Sequence, residues 1–419
     1  MAFTASFFTR NRAQLKKRIE KDAFIVLFSN DSYPLNGDQF YPYRQQSDLF
    51  YFTGIKQEET ILILAQDIEI LFLLKPEKSL ETWEGKKLQK KDATTISGIE
   101  KILWINNFEN ELQKAIQKHK EIYLLGKKAF SSDTQLIHNH RRWYKNIIKK
   151  NIKLKDARSL IDPLRLIKSK EEIDMMQKAI NITDLAFQEV LDFVRPGVKE
   201  SDVEALITYI FKKNGANRHA YQPIIASGEN ACYLHYVKNN DVLKDGDLLL
   251  MDFGAEYNYY AADLSRTIPV NGQFTKEQRK WYALVLSVQK KAIALFTPGT
   301  TINKINQTVE LMMQEAMIDI GLLKQEAIDN QSPDNPLYKN YYMHGVTHFL
   351  GIDVHDVGTK DTVLKDGMVL TCEPGIYIRE KAIGIRIENN IIVGNTPIDL
   401  TKDIIRDIDE IENELLDNL

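Results

Sequence analysis

Two stretches decide the fold: LKDGDLLLMDFG (243–254) and LKDGMVLTCEPG (364–375). They align at a constant offset of 121 residues, each a Lys-Asp-Gly turn, then an apolar strand, then an acid: Asp252 in one, Glu373 in the other. Each continues into a second strand with a second acid, Asp263 after YNYYAA and Glu388 within GIRIENNIIV (384–393). Upstream, a long amphipathic helix ends at Arg-Pro-Gly (195–197) and another at Thr-Pro-Gly (297–299), each followed by a second helix. Ser201 and Glu204 predict a capping box at the start of the first of these second helices. The unit is too long for a solenoid repeat. It implies a duplication, two αα-ββ halves around one pseudo-symmetric sheet.

Ahead of the repeat the pattern changes. AFIVLFS (23–29), TILILA (60–65), EILFLL (69–74), KILWI (101–105) and EIYLLG (121–126) have strand length and β-branched content. Between the last two, NELQKAIQKH (110–119) places Leu112, Ala115 and Ile116 on one helical face. This reads as a small α/β domain. The basic stretch HRRWYKNIIKKNIKLK (140–155) interleaves its charges with Trp143, Ile147, Ile148 and Ile152, which predicts a solvated connecting helix rather than a nucleic-acid surface. The expected domains are 1–160, an amino-terminal α/β domain serving oligomerisation and substrate access, and 161–419, the duplicated domain. In the acidic tail, Ile404, Ile408, Ile411 and Leu415 predict a terminal helix.

Composition narrows the function. The 419 residues carry 55 Lys and Arg against 58 Asp and Glu, so the net charge is 55 − 58 = −3. That balance excludes a partner bound mainly by neutralising phosphates. No apolar run approaches the roughly 18–20 residues needed to span a bilayer, and MAFTASFFTRNR lacks the pattern of a secretory leader. Cys232 and Cys372 cannot make a disulfide framework. The expectation is a cytoplasmic protein with neither a membrane nor a nucleic-acid partner.

The chemistry lies in the acids. Asp252 follows four apolar residues, and Glu373 follows the core-like run from Met368 to Cys372. Carboxylates in core-strand sequence are costly unless paired or bound to metal. Side chains alternate along the strand at Glu388, so Ile383, Ile385 and Ile387 face one way and Arg386 and Glu388 the other. Acids of the other half are the natural partners of this Arg and Glu. A lone Asp after a strand is usually a turn residue or helix cap; four acids placed pairwise by a repeat are not explained that way.

Three of the 8 histidines fall within HGVTHFLGIDVHD (344–356). His344 and His348 have the i, i+4 spacing of the HExxH zinc ligands, but Gly345 stands where that motif needs its glutamate. Four carboxylates and one imidazole are too many ligands for a closed tetrahedral zinc site. Shared carboxylates suit two cations, with Mn²⁺, Co²⁺ or Zn²⁺ all compatible, and two metals about 3.5–4 Å apart are a hydrolytic device.

MDFGAEY, ADLSRT, HGVTHFLGIDVHD, TCEPGIYI and GIRIEN resemble, in order, the five ligand-bearing motifs of the pita-bread metallopeptidases, specifically of the Xaa-Pro aminopeptidase (aminopeptidase P) family. YRQQSDLFYFTG (43–54) resembles that family's signature in its first domain. The resemblance implies an α+β fold: a carboxyl-terminal pita-bread domain preceded by a smaller α/β, creatinase-like domain. It implies Asp252, Asp263, His348, Glu373 and Glu388 as ligands of two divalent ions, Mn²⁺ first, with Co²⁺ or Zn²⁺ as alternatives. SGENACYLHY (227–236) supplies a substrate-site histidine, His235. His344 is expected at the oxyanion and His355 at the peptide near the scissile bond. Tyr221 and Arg386 are expected to hold a ligating carboxylate, and Glu373 to double as proton shuttle. ETWEGKKLQ (81–89) offers Trp83 as a lining of the proline site, of a neighbouring subunit in one reading; a core tryptophan fits equally well. Substrates would be peptides with proline second, and the assembly a homodimer or homotetramer.

Two rivals share the architecture. A Xaa-Pro dipeptidase (prolidase) has the same five ligands, but SDLFYFTG favours the aminopeptidase. A pita-bread binding module without catalysis, or a metal-independent creatinase-like amidinohydrolase, is not expected to keep all five.

Overall fold

A computed structural model describes residues 3–125, 147 and 152–417. The chain divides into two compact units, Met1–Arg165 and Leu166–Leu419.

The first unit is built on β1 (Ala23–Phe28), β4 (Ile61–Leu64), β5 (Glu69–Leu73), β6 (Ile102–Trp104), β7 (Glu121–Leu124) and β8 (Lys153–Asp156), in the order β6-β5-β4-β1-β7-β8. β1 pairs antiparallel with β4 and parallel with β7. A central strand covered on both faces has no side to leave polar, and all six residues of β1 are buried. The helix Phe108–Lys118 lays Phe108, Leu112 and Ala115 on this sheet. A small hairpin, β2 (Pro34–Asn36) with β3 (Gln39–Phe40), lies apart from the sheet. The helix expected over 140–155 falls mostly outside the described residues. Where its end is described the expectation fails: Lys153–Asp156 is the edge strand β8, pairing parallel with β7.

The second unit shows the duplication. Each half begins with two helices, Lys170–Phe193 and Glu200–Lys213 in one, Lys276–Ile293 and Ile302–Asp319 in the other. In the first half the strands are β9 (Arg218–His219), β10 (Ile224–Ser227), β11 (Leu248–Asp252), β12 (Ala255–Tyr257), β13 (Tyr260–Ala261) and β14 (Ser265–Pro269). In the second they are β15 (Val369–Cys372), β16 (Gly375–Ile378), β17 (Ile383–Arg386), β18 (Asn389–Ile392) and β19 (Ile398–Asp399). β11 pairs antiparallel with β14, as β15 does with β18. The registers are offset by two residues: Asp252 stands opposite Ser265, two residues past Asp263, whereas in the second half Cys372, one residue before Glu373, stands opposite Asn389, one residue past Glu388.

Each pairing brings the acid at the end of one strand to the acid just ahead of its partner. Asp263 lies two residues before β14 and Glu388 one residue before β18, rather than inside them. Gly254 makes the first turn tight enough, since a Cβ there would sit 1.9 Å from the Ala262 carbonyl oxygen. Ile383, Ile385 and Ile387 enter the core as the alternation predicts. The terminal helix Ile408–Asp417 buries Ile411 and Leu415, and Ile404 is buried just ahead of it.

The capping box expected at Ser201 and Glu204 does not form. Lys199 is held in a bridge with Val242 and serves as the N-cap, so the helix begins two residues early, at Glu200. Asp202 then accepts from the Lys199 N–H (3.1 Å) and Glu204 accepts from Asn239 (2.8 Å). The box forms instead at Ser169 and Glu172, which open Lys170–Phe193.

Candidate metal centre and its cavity

The acids delivered by the two hairpins meet the histidine segment in one cavity of about 410 Å³. Asp252, Asp263, His348, Glu373, Glu388, Tyr221, His235, His344, His355 and Arg386 all line it. Residues 346–350 run beside β15, with Thr371 N–H donating to His348 O (3.0 Å) and Glu373 N–H to Val346 O (2.8 Å). This fixes His348 against the end of that strand. Its Nε2 lies 3.3 Å from Asp263 Oδ2 and 3.6 Å from Glu373 Oε1. Asp263, His348 and Glu388 each offer one ligand atom, all within 4.8 Å of one another. Donors bound at about 2.1 Å to one ion stand about 3.0–3.4 Å apart along the edges of its coordination polyhedron.

The electrostatics demand a cation. His348 Nδ1 lies 3.0 Å from Phe349 O, a bond that assigns the hydrogen to Nδ1 and turns the Nε2 lone pair toward carboxylates. With the acids ionised and the ring in its neutral, metal-binding form, four carboxylates outweigh the cavity's two cations, Arg386 and Lys360. Burial, reinforced by neighbouring acids, pushes Asp252 and Glu388 above the usual carboxylate range and Glu373 up to about 7. Without a metal the acids draw a proton onto Nε2 as well: burial opposes protonation of His348, yet the hydrogen bond of the protonated ring to Asp263 and the field of Glu373 raise it to about 9. A metal on Nε2 displaces that proton. One proton cannot neutralise such a set; divalent cations can. The donor set fits them.

Around the acids runs a network that joins the halves. Arg386 Nη2 donates to Asp252 Oδ2 (2.5 Å), its Nε to Ser265 Oγ (2.8 Å) and its Nη1 to Tyr377 Oη (2.9 Å). Ser265 Oγ donates to Glu388 Oε2 (2.9 Å). Asn390 donates to Asp263 O (2.5 Å) and accepts from Asp263 N–H (3.2 Å). The Tyr221 hydroxyl is 2.5 Å from Asp252 Oδ1 and 2.6 Å from Asp263 Oδ1. Sequence reasoning singled out Tyr221 and Arg386 but missed Ser265, Tyr377 and Asn390. Each stood inside a quoted stretch, ADLSRT, TCEPGIYI or GIRIENNIIV, two to four residues beyond an acid.

The histidines differ. His344 has both nitrogens engaged, Nδ1 with Gly345 O and Nε2 with Tyr377 Oη, each at 2.8 Å. Because Tyr377 accepts from Arg386, its own hydrogen goes to His344 Nε2, which makes the ring an Nδ1–H tautomer. Burial, with Arg386 nearby, lowers His344 to about 4, so the ring is neutral at pH 7. His355 stacks edge-on against His348 with centroids 4.4 Å apart. His235 lies on the loop between β10 and β11. Trp83 is not among the cavity residues. It sits on the helix Lys78–Glu84 of the first unit and is 88% exposed, which removes the core reading.

Comparison with known proteins follows the same division. Metallopeptidase family M24 matches residues 174–395, and the aminopeptidase P N-terminal domain matches 8–123. The chain is 36% identical to a Xaa-Pro aminopeptidase of Haemophilus influenzae, across 97% of this chain and 96% of that protein. It is 33% identical to a Xaa-Pro aminopeptidase of Escherichia coli, with the same coverage. Among solved structures, zinc-substituted Escherichia coli aminopeptidase P in complex with product superposes with a TM-score of 0.89 at 32% identity, covering 100% of both chains.

Proposed function

The chain belongs to metallopeptidase family M24 and carries the aminopeptidase P N-terminal domain, and on that premise we propose how its cavity acts on a peptide. It is a Xaa-Pro aminopeptidase, a hydrolase that cleaves between a peptide's first residue and a following proline. The observation that carries this is the convergence of Asp252, Asp263, His348, Glu373 and Glu388 in one cavity, on a chain matched over nearly its full length by such enzymes.

Asp252, Asp263, His348, Glu373 and Glu388 hold two divalent ions, manganese foremost, with cobalt or zinc tolerated by the same donors. When bound, the ions supply Lewis acidity at the scissile carbonyl and make a water nucleophilic at neutral pH. Asp252 takes the substrate's free α-amino group, which confines the site to peptide N-termini. Glu373 accepts the proton of the attacking water and delivers it to the departing proline nitrogen, which has no hydrogen of its own. For His344 to donate to the developing oxyanion, its ring must leave Tyr377 and carry its hydrogen on Nε2 rather than Nδ1. His235 and His355 hold the peptide. Ile224, Leu234, Val237 and Val354 supply apolar wall for the proline ring. Tyr221 and Arg386 keep Asp252 in place.

We further read the protein as cytoplasmic and as a homodimer or homotetramer in which the exposed Trp83 serves a neighbouring subunit's proline site. Its near-zero net charge and two buried free cysteines fit that setting. The deciding experiment is a peptide panel: Xaa-Pro-Xaa and longer peptides are cleaved, Xaa-Ala-Xaa is not, and the Xaa-Pro dipeptide is a poor substrate. Preference for the dipeptide would establish a prolidase instead.

A further inference from the structure

One side chain closes the loop that builds a wall of the cavity. Residues 228–240 form the first part of the connection from β10 to β11, with little regular structure beyond one short turn of 3-10 helix. They contribute Leu234, His235 and Val237 to the cavity. Loops of this length with their ends held together are Ω-loops, and their shape depends on internal contacts. Here the contacts converge on Glu200, the first residue of its helix and 0% exposed. Its Oε1 accepts from Ser227 N–H (2.8 Å), Ser227 Oγ–H (2.8 Å) and Asn230 Nδ2 (3.1 Å). Its Oε2 accepts from Tyr236 Oη–H (2.7 Å) and Asp241 N–H (3.0 Å). The Glu200 N–H in turn donates to Asp241 O (2.9 Å).

Both ends of the loop and two interior residues are therefore tied to one carboxylate. One of them, Tyr236, directly follows His235. A turn further along the helix, Glu204 repeats the device on Asn239, which is 1% exposed and also accepts from Ile225 N–H (3.0 Å). Neither glutamate lines the cavity or touches the predicted metal ligands. A buried carboxylate meeting five neutral donors is costly to disturb, because each donor loses its acceptor when it goes. An ordinary core residue would spread such bonds over several elements.

We propose that Glu200 is a positioning residue: it holds the 227–241 loop in the one shape that presents His235, Leu234 and Val237 to the substrate. The proposal rests on the aminopeptidase reading of the cavity. The substitution Tyr236→Phe removes a single bond of the clamp, and Glu200→Gln leaves the volume but turns a donor toward donors.

The test is a double-mutant cycle on a Xaa-Pro-Xaa peptide with metal content and thermal unfolding measured in parallel. Tyr236→Phe lowers kcat/KM about tenfold, the scale of outer-sphere substitutions, without loss of metal. In the His235→Ala background the same substitution costs less than twofold, because the residue it positions is gone. Equal losses in both backgrounds, or no loss in the parent, overturn the proposal. Hydrogen exchange reads the clamp without activity: Glu200→Gln speeds exchange at the Ser227 and Asp241 amides at least tenfold while Thr371 and Glu373 keep wild-type protection. Unchanged exchange at those two amides also overturns it. A wild-type protein inactive on every Xaa-Pro peptide would instead count against the aminopeptidase reading, and the exchange arm would still judge the clamp.

Discussion

Arg386 reaches from the strand of one half to Asp252 of the other, Nη2 to Oδ2 at 2.5 Å, with the arginine side chain 5% exposed. The pair is the electrostatic seam of the duplicated unit. It also ties down the acid expected to meet the substrate's amino group. Breaking a buried pair by removing one partner strands a charge and costs about 3–5 kcal/mol. Arg386→Ala is therefore expected to lower stability by that order and to weaken metal binding, and Arg386→Lys to recover stability better than activity, since lysine cannot reach Asp252, Ser265 and Tyr377 together. Chemical unfolding and metal titration of the three proteins check this.

Ser265 and Asn390 cross over. Each lies two residues beyond an acid of its own half and contacts an acid of the other: Ser265 reaches Glu388, and Asn390 reaches the backbone of Asp263. Ser265→Ala is expected to weaken metal binding by roughly 10-fold to 100-fold. Asn390→Ala removes both bonds to the Asp263 backbone and should cost about 1–3 kcal/mol of stability. Metal affinities within twofold of the parent for Ser265→Ala would contradict the first.

Lys168 and Asp356 form a second buried pair, 2.9 Å apart and each 1% exposed at the side chain. Asp356 directly follows His355, so the pair anchors the segment carrying a cavity histidine. Lys168→Met is expected to destabilise by about 3–5 kcal/mol and to lower kcat/KM even in the protein that remains folded. Urea unfolding and activity per folded molecule separate the two effects.

His219 predicts a pH dependence of stability. Its Nε2 is 2.8 Å from Thr208 Oγ1, whose hydroxyl donates to Glu204 O, so Nε2 carries the hydrogen; Nδ1 is buried and unpartnered among the described residues. Burial, with Lys212 adding, lowers its pKa to about 4. A folded pKa below the unfolded one means the unfolded chain gains the proton first. The contribution is therefore complete above about pH 6.5 and lost as pH falls toward 4, by up to about 3 kcal/mol. Stability of the parent relative to His219→Gln should shrink over that window. A difference constant from pH 7 to pH 4 would count against it.

Much of this was legible in the sequence because its signals are local. The repeated turn, strand and acid occupy a dozen contiguous residues in each half, and their spacing alone placed Asp252 with Glu373 and Asp263 with Glu388. The strand runs of the first unit read correctly for the same reason, since a buried central strand is apolar throughout. What escaped depends on residues far apart in the chain. Glu200 meets Tyr236 and Asp241 only after folding, and Ser265 meets Glu388 across 123 residues. The misplaced capping box shows the same limit: Ser201 and Glu204 have the right spacing, but a bridge at Lys199 shifts the start. Trp83 looks like a core residue by composition, yet its helix buries nothing.

The central claim is that the buried acids work by holding divalent metal, and its direct measurement is activity against metal content. Protein stripped by chelation and dialysis should lose Xaa-Pro-Xaa hydrolysis, bind two equivalents of Mn²⁺ on titration, and regain activity in step with occupancy. Full hydrolysis by metal-free protein would contradict the account.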